Sequence, residues 1–296
     1  MSNEKLSDPN WAWAQYEPDN ERPWNLQRAG HLYRRAGFGA SWGQLQRVLS
    51  DGPQKTIDAM LRPEGDVDGF NKVHDGYEGS TGALRAWWLR RMIETPHPLL
   101  EKMTLFWHSY FATNADKVKN AALMRKQMQL LRGQALGSFK VLLEGIWCDP
   151  AMLLGLGAET NRKGRPNEML ARTLMKTFTV GEGGFTENDV REATRAFTGW
   201  FVLRGRIRYF EHEHDDGIKK ILGHEGRFAG EDVVRILLER EATARTVVGR
   251  LYRWLISESD EPDPKLIAAL AESFAADYDI LKLVETMLRS NLFFST

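Results

Sequence analysis

The chain has 296 residues, with 40 Lys plus Arg balanced by 40 Asp plus Glu, and a single cysteine. That length supports one large or two modest domains with a sizeable core. The zero formal charge gives no global pull toward nucleic acid or an acidic membrane. A lone thiol excludes an internal disulfide, and no apolar run is long enough to span a bilayer.

The first residues contain no apolar stretch of the secretory kind, so the expected address is cytoplasmic. Residues 1–22 read as an irregular arm, docked on the body through Trp11, Trp13 and Tyr16. The remainder, 23–296, reads as one compact multi-helix domain. Pro23-Trp24-Asn25 opens a helix with Leu26, Ala29, Leu32, Tyr33 and Ala36 on one side, closed by Gly37. Ser41 and Gln44 form a capping box for the next helix, which ends near Gly52-Pro53. A short helix follows through Ile57, Met60 and Leu61.

Residues 63–82 carry Pro63, Asp66, Asp68, Asn71 and Asp75 among glycines. This is loop chemistry without the ligand alternation of a calcium loop. Residues 83–95 return to helix with Leu84, Trp87, Trp88 and Met92. The Pro96-His97-Pro98 break leads into a strongly patterned helix bearing Leu99, Met103, Phe106, Trp107, Tyr110 and Phe111. His108 lies beside that stripe, where a half-buried, hydrogen-bonded ring is the ordinary outcome. Helices over 118–136 and 138–147 follow. Cys148 is expected as a buried inert thiol, and Asp149-Pro150 starts a further short helix. Most of the ten tryptophans fall on apolar stripes and read as core or groove lining, with a ligand platform as the lesser reading.

The densest polar stretch is 158–200. Arg162, Lys163 and Arg165 precede a helix start, which is either an anion site or a solvated basic loop. Leu170, Ala171, Leu174, Met175 and Phe178 give the following helix one apolar face, while Glu168, Arg172 and Lys176 run along another at i,i+4. Gly181, Gly183 and Gly184 turn the corner. Thr186 with Asp189 caps a second helix carrying Val190, Ala193 and Phe197, with ion pairs expected at Glu187–Arg191 and Glu192–Arg195. Two outcomes stand side by side here: charged faces turned to water, or Asn167, Glu168, Arg172, Glu192 and Arg195 converging in a cleft.

Residues 201–210 read as the one hairpin, with Ile207 and Tyr209 alternating against Arg206 and Arg208 and Gly205 at the turn. On an extended segment His212 and His214 would share a side. His214 with Asp215 is therefore the best metal candidate, against the plain alternative of an acidic turn. The rest is helical: from Gly230, over 242–255, 263–275 and 279–289. The closing Phe293-Phe294 is an apolar end that calls for a partner surface. The remaining partner expectations are negative, with no nucleic acid and no membrane span. The cofactor is unknown from the sequence.

Several motifs then fall in a familiar order: His31-Leu-Tyr-Arg-Arg-Ala-Gly-Phe-Gly39, Thr95-Pro-His-Pro98, Glu101-Lys-Met-Thr-Leu-Phe-Trp-His108, Asn161-Arg-Lys-Gly-Arg-Pro-Asn-Glu168, Asp189-Val-Arg-Glu-Ala193, Thr198-Gly-Trp200 and His214-Asp-Asp-Gly-Ile-Lys219. From about residue 23 onward the chain resembles the bacterial family catalogued as domain of unknown function 1800. The resemblance implies a largely helical protein, exported in many members and encoded beside a partner protein. The motif positions expected to bind are Arg35, Lys117, Asn161, Asn167, Glu192, Arg195, Trp200 and Lys219. Catalytic positions, if any, would be Glu168, His108 and Arg172. Some places depart from the family pattern. Tyr110 stands for a second histidine, Gly157 for an aspartate, and Thr173 and Lys176 for glutamates, while the family pattern runs on past Phe294. The expectation is a common hollow with part of its ionisable equipment gone. That favours a non-catalytic binding or scaffold protein over a hydrolase-like or metal-assisted enzyme.

Overall fold

A computed structural model describes residues 6–63, 69–72, 79–259 and 261–295. Asp66, Asp68 and Asp75 of the expected loop lie outside the described residues. The protein is mainly α, with two small antiparallel hairpins among the described residues. Among the described residues no helix is long and apolar enough to cross a membrane. The chain divides into two compact units: Met1–Trp107 with Ala135–Gly137 and Val248–Thr296, and His108–Gln134 with Ser138–Val247.

The first unit is built on local signals that the sequence carries plainly. Asn25 caps the Leu26–Ala36 helix by accepting from Arg28 N–H, and Ser41 and Gln44 make the expected capping box at the start of Trp42–Leu61. Gly52 leaves helical geometry with φ of 78°, so Trp42–Leu61 is two helices joined at a kink just before Pro53. The apolar stripes meet as expected, with Ala29, Leu32, Ile57, Leu99, Met103, Val248, Leu251, Val284 and Met287 all buried. Leu26, placed on the same stripe by periodicity, is exposed.

Inside this unit Glu101 and Arg91 form a fully buried ion pair at 2.7 Å. Trp88 Nε1 also donates to Glu101, at 3.2 Å, and Arg91 donates to Asn71 Oδ1. The desolvated carboxylate is thus paired and hydrogen-bonded, as a buried charge must be.

The apolar C-terminal end, expected to meet a partner surface, packs against its own chain. Phe293 packs edge-on against His31 at 4.7 Å, and Phe294 against Tyr16 and Trp24 at 4.5 and 5.8 Å. The N-terminal segment runs beside it. Tyr16 N–H donates to Arg289 O, Asn291 N–H to Ala14 O and Leu292 N–H to Ala12 O. Trp13 Nε1 donates to Leu266 O at 3.1 Å.

The second unit carries the polar corner. Phe139, Leu142, Leu143, Ile146, Phe178, Val190, Ala193, Phe197, Val233 and Leu237 are buried in it. Asp149 caps the Pro150–Leu156 helix through Met152 N–H and accepts from Gln127 Nε2 at 2.7 Å. Cys148, expected to be buried, is half-buried, and desolvation pushes its thiol up to about 11.

Two features differ from the sequence reading. The helix from Glu168 is α only to Arg172, and Thr173–Phe178 is a π-helical turn. Thr179 Oγ1 then bonds Leu174 O and Gly181 N–H bonds Met175 O, which closes the widened turn at a glycine with φ of 81°. Second, beside β1 (Trp200–Leu203) and β2 (Arg206–Tyr209) there is another hairpin, β3 (Lys219–Ile221) with β4 (His224–Gly226). Its strands are too short to show alternation. The segment expected to extend through His212 is instead a 3-10 turn, Glu211–Glu213, so the shared-side argument for His212 and His214 does not hold.

Candidate functional site

The polar residues of the second unit form three linked arrangements. The first is at the corner of the two helices. Asn167 caps Glu168–Arg172 with Oδ1 on Met169 N–H at 2.8 Å. Arg172 Nη2 reaches Glu168 at 2.9 Å and Glu187 at 2.7 Å, and Nη1 reaches Glu187 at 2.8 Å. The expected Glu168–Arg172 pair is present. Glu187 turns to Arg172 across the corner rather than to Arg191 along its own helix, because the corner brings a guanidinium within fork geometry. The two glutamates raise the pKa of Arg172, and Arg172 lowers that of Glu187. Lys176 pairs with Glu182 at 2.7 Å.

The second arrangement centres on Arg195 of the Glu187–Ala196 helix. Its Nε and Nη2 donate to Asp215 at 2.7 and 3.0 Å, and its Nη1 to both oxygens of Glu192 at 3.0 and 2.9 Å. Nη1 also reaches Ile218 O at 3.2 Å. The guanidinium beside Asp215 holds its carboxyl down at about 2, and the two carboxylates raise Arg195. Lys219 on β3 is buried, and its Nζ donates to the backbone oxygens of Asp215 and Gly217. Burial lowers its pKa, against the opposing pull of Asp215. Glu192 accepts additionally from Lys220 N–H, and Asp189 Oδ1 from Leu222 N–H at 2.7 Å. That last bond steadies a leucine held at φ of 50° in the β3–β4 turn. Thr198 closes the set: its hydroxyl donates to Arg195 O and accepts from Asp215 N–H, and its carbonyl lies 2.9 Å from His214 Nδ1.

The third arrangement is a backbone seam. Asn161 N–H donates to Trp200 O, Gly199 N–H to Asn161 O and Val202 N–H to Glu159 O, so residues 159–161 lie along β1. Buried Asn161 accepts Asn167 N–H on Oδ1, which ties the seam to the helix start. Trp200 stacks edge-on against Trp147 at 5.4 Å and tilts against Tyr209 at 5.0 Å.

The structure therefore gathers Glu192, Arg195, His214, Asp215 and Lys219 in one place, and Asn161, Asn167 and Trp200 along one seam. Glu168 and Arg172 belong to the helix corner. Lys117 is exposed on Ala115–Val118, and burial lowers the pKa of half-buried His108. Arg35 belongs to the first unit, where it donates to Leu255 O at 2.7 Å. Asp189, Thr198 and Glu187 join these arrangements without having been singled out as site residues. The Asp-Asp-Gly turn was legible for Asp215, whose Oδ1 accepts Gly217 N–H.

Among the described residues no group of three or more His, Cys, Asp or Glu side chains is placed to hold a metal ion. Both carboxylate oxygens of Asp215 are engaged by Arg195, and Nδ1 of His214 by a carbonyl. Two cavities of about 290 and 230 Å³ lie in the first unit, and neither is lined by the residues above.

The family model for "Protein of unknown function (DUF1800)" matches residues 31–296. The chain belongs to that family. The residues that depart from the family pattern have local roles in this fold. Tyr110 donates its hydroxyl to Phe178 O at 2.8 Å within the core. Gly157 closes the Pro150–Leu156 helix with φ of 67°. No curated protein and no solved structure matches the chain.

Proposed function

We infer that this member of the DUF1800 family is a non-catalytic binding or scaffold protein whose charged signature residues fasten its second unit together. The Arg195 clamp carries this reading. A general acid or base needs a proton it can exchange near the working pH, whereas Asp215 is held at about 2 and shares both oxygens with a guanidinium. Lys219, Glu192, Asp189 and Thr198 likewise spend polar atoms on backbone groups of residues 215–222, the turn before β3 and the start of the β3–β4 hairpin. The bonds from Glu192, Asp189, Thr198 and Arg195 tie the Glu187–Ala196 helix and the residues after it to a segment 17 to 33 residues on, which is what a fastener does.

The second reading is a hydrolase-like enzyme using His108, Glu168 and Arg172. One observation favours it: burial lowers the His108 pKa, which keeps a neutral ring for use as a base. A direct assay separates the two. The protein is incubated with p-nitrophenyl acetate and p-nitrophenyl phosphate beside His108→Ala and Glu168→Gln variants. Rates equal to buffer in all three support the scaffold. Turnover that either variant abolishes overturns it.

A further inference from the structure

We propose that the outer edge of β2 is a docking site for an extended acidic segment of a partner protein, which adds to the hairpin as a further strand. This deepens the binding reading above but rests on different residues.

The argument begins with register. β1 and β2 pair Leu203 with Arg206, Val202 with Ile207, Phe201 with Arg208 and Trp200 with Tyr209 around the Arg204-Gly205 turn. In an antiparallel pair, hydrogen-bonded and non-hydrogen-bonded positions alternate. On β1, Val202 N–H and Trp200 O point away from β2, toward residues 159–161. Their partners Ile207 and Tyr209 must then turn their own N–H and C=O groups away from β1. Among the described residues β2 pairs with β1 alone, so that outward row is an open edge.

The side chains say what fits there. Arg206 and Arg208 are exposed on one face, and Arg204 is exposed at the turn. None of the three has an ion-pair partner among the described residues. On an added strand, Arg206 and Arg208 would occupy the non-hydrogen-bonded pairs, where opposed side chains come closest. Acidic residues two apart on the incoming segment would sit directly opposite them. The intervening residues would lie on the face of Ile207 and Tyr209, with Tyr209 45% exposed, and would be apolar. A second copy of this chain is the wrong occupant, since β2 against β2 sets arginine against arginine. Single-stranded nucleic acid is disfavoured as well. Phe201, on the arginine face, is buried beneath Arg162, whose guanidinium stands 5.4 Å from the ring centroid, and Tyr209 on the other face is the one exposed ring of β1 and β2, so successive bases would lack a run of platforms.

The test uses the full chain and a fluorescein-labelled octapeptide of alternating glutamate and valine, read by anisotropy. Binding is expected to weaken at least tenfold in the Arg206→Glu/Arg208→Glu variant and to fall with added salt. The same peptide N-methylated at its valines lacks the amide donors that would face β2 and should not bind, which probes strand addition without altering the protein. No binding of the unmodified peptide overturns the proposal. So does equal binding of the N-methylated peptide, of a lysine–valine peptide or of oligo-dT. Any of these failures leaves the Arg195 argument standing, whereas ester or phosphate turnover would remove that argument without touching this edge.

Discussion

Arg195 grips Asp215 in a two-pronged fork, Nε to Oδ2 at 2.7 Å and Nη2 to Oδ1 at 3.0 Å, across nineteen intervening residues of chain. The fork joins the end of the Glu187–Ala196 helix to the turn that leads into β3. Side-chain exposures of 29% and 26% put the pair at the margin between surface and interior, where a bidentate geometry still counts.

Asp215→Asn keeps the shape and removes the charge. Its folded pKa of about 2 lies below the ordinary 3.8. The stabilisation is therefore fully present above pH 3.8 and is lost as pH falls through 2. At neutral pH the variant should be less stable by on the order of 1–2 kcal/mol, after allowing for solvent screening. The gap between variant and parent should close toward pH 2, as urea melts across that range would show.

The Arg91–Glu101 pair predicts a larger effect. Glu101→Gln leaves a buried guanidinium without its counter-charge, and the expected loss is about 3–5 kcal/mol. Replacing both partners with apolar residues, Arg91→Met with Glu101→Leu, should cost far less, because no lone charge remains in the core. Denaturant midpoints of the single and double variants check this. Equal losses in both would show that the pair is not desolvated.

His31 gives the opposite pH sense from a basic group with a partner. Burial drives its pKa down to about 4, with nearby Arg35 and Arg34 adding to the effect and a bond to the Phe293 backbone opposing it. The folded state thus prefers the neutral ring. Its stability is present above the ordinary value of 6.5 and drains away as pH falls from 6.5 toward 4. His97 and His108 are lowered by burial as well and add to the same window. The melting temperature should fall between pH 7 and 4, and His31→Phe should flatten that slope. An unchanged slope would locate the titration elsewhere.

Gly199 combines a left-handed backbone with crowding at the site. Its φ is +92°, and a Cβ there would stand 2.8 Å from Tyr209 Cε2 and 3.1 Å from Phe210 O. Gly199→Ala should cost roughly 2–3 kcal/mol, combining left-handed backbone strain with overpacking. Gly183 has a similar φ of +83° but open space around it, so Gly183→Ala should cost only about 1 kcal/mol. Thermal melts of the two variants compare the crowding directly.

The sequence by itself determined whatever depends on neighbours along the chain. The stripes at 99–111 and 170–178, the capping boxes at Ser41 and Thr186, the kink at Gly52-Pro53 and the 201–210 hairpin are all visible there, because spacing and capping act over a few residues. The Glu192–Arg195 and Glu168–Arg172 pairs belong to this class. Only the tertiary structure decided that Glu187 turns to Arg172, that Arg195 reaches Asp215, and that Lys219 is buried over backbone carbonyls. It also decided that Phe293 and Phe294 pack against His31, Tyr16 and Trp24 of their own chain. The π turn at Thr173–Phe178 stayed hidden because widening one turn leaves the apolar pattern intact. The β3–β4 hairpin stayed hidden because three-residue strands are too short to display a period. A charged side chain carries no mark in the sequence of which distant group will meet it. That choice is made when the packed helices fix where each guanidinium and carboxylate can reach, and desolvation then penalises every buried charge left unpaired.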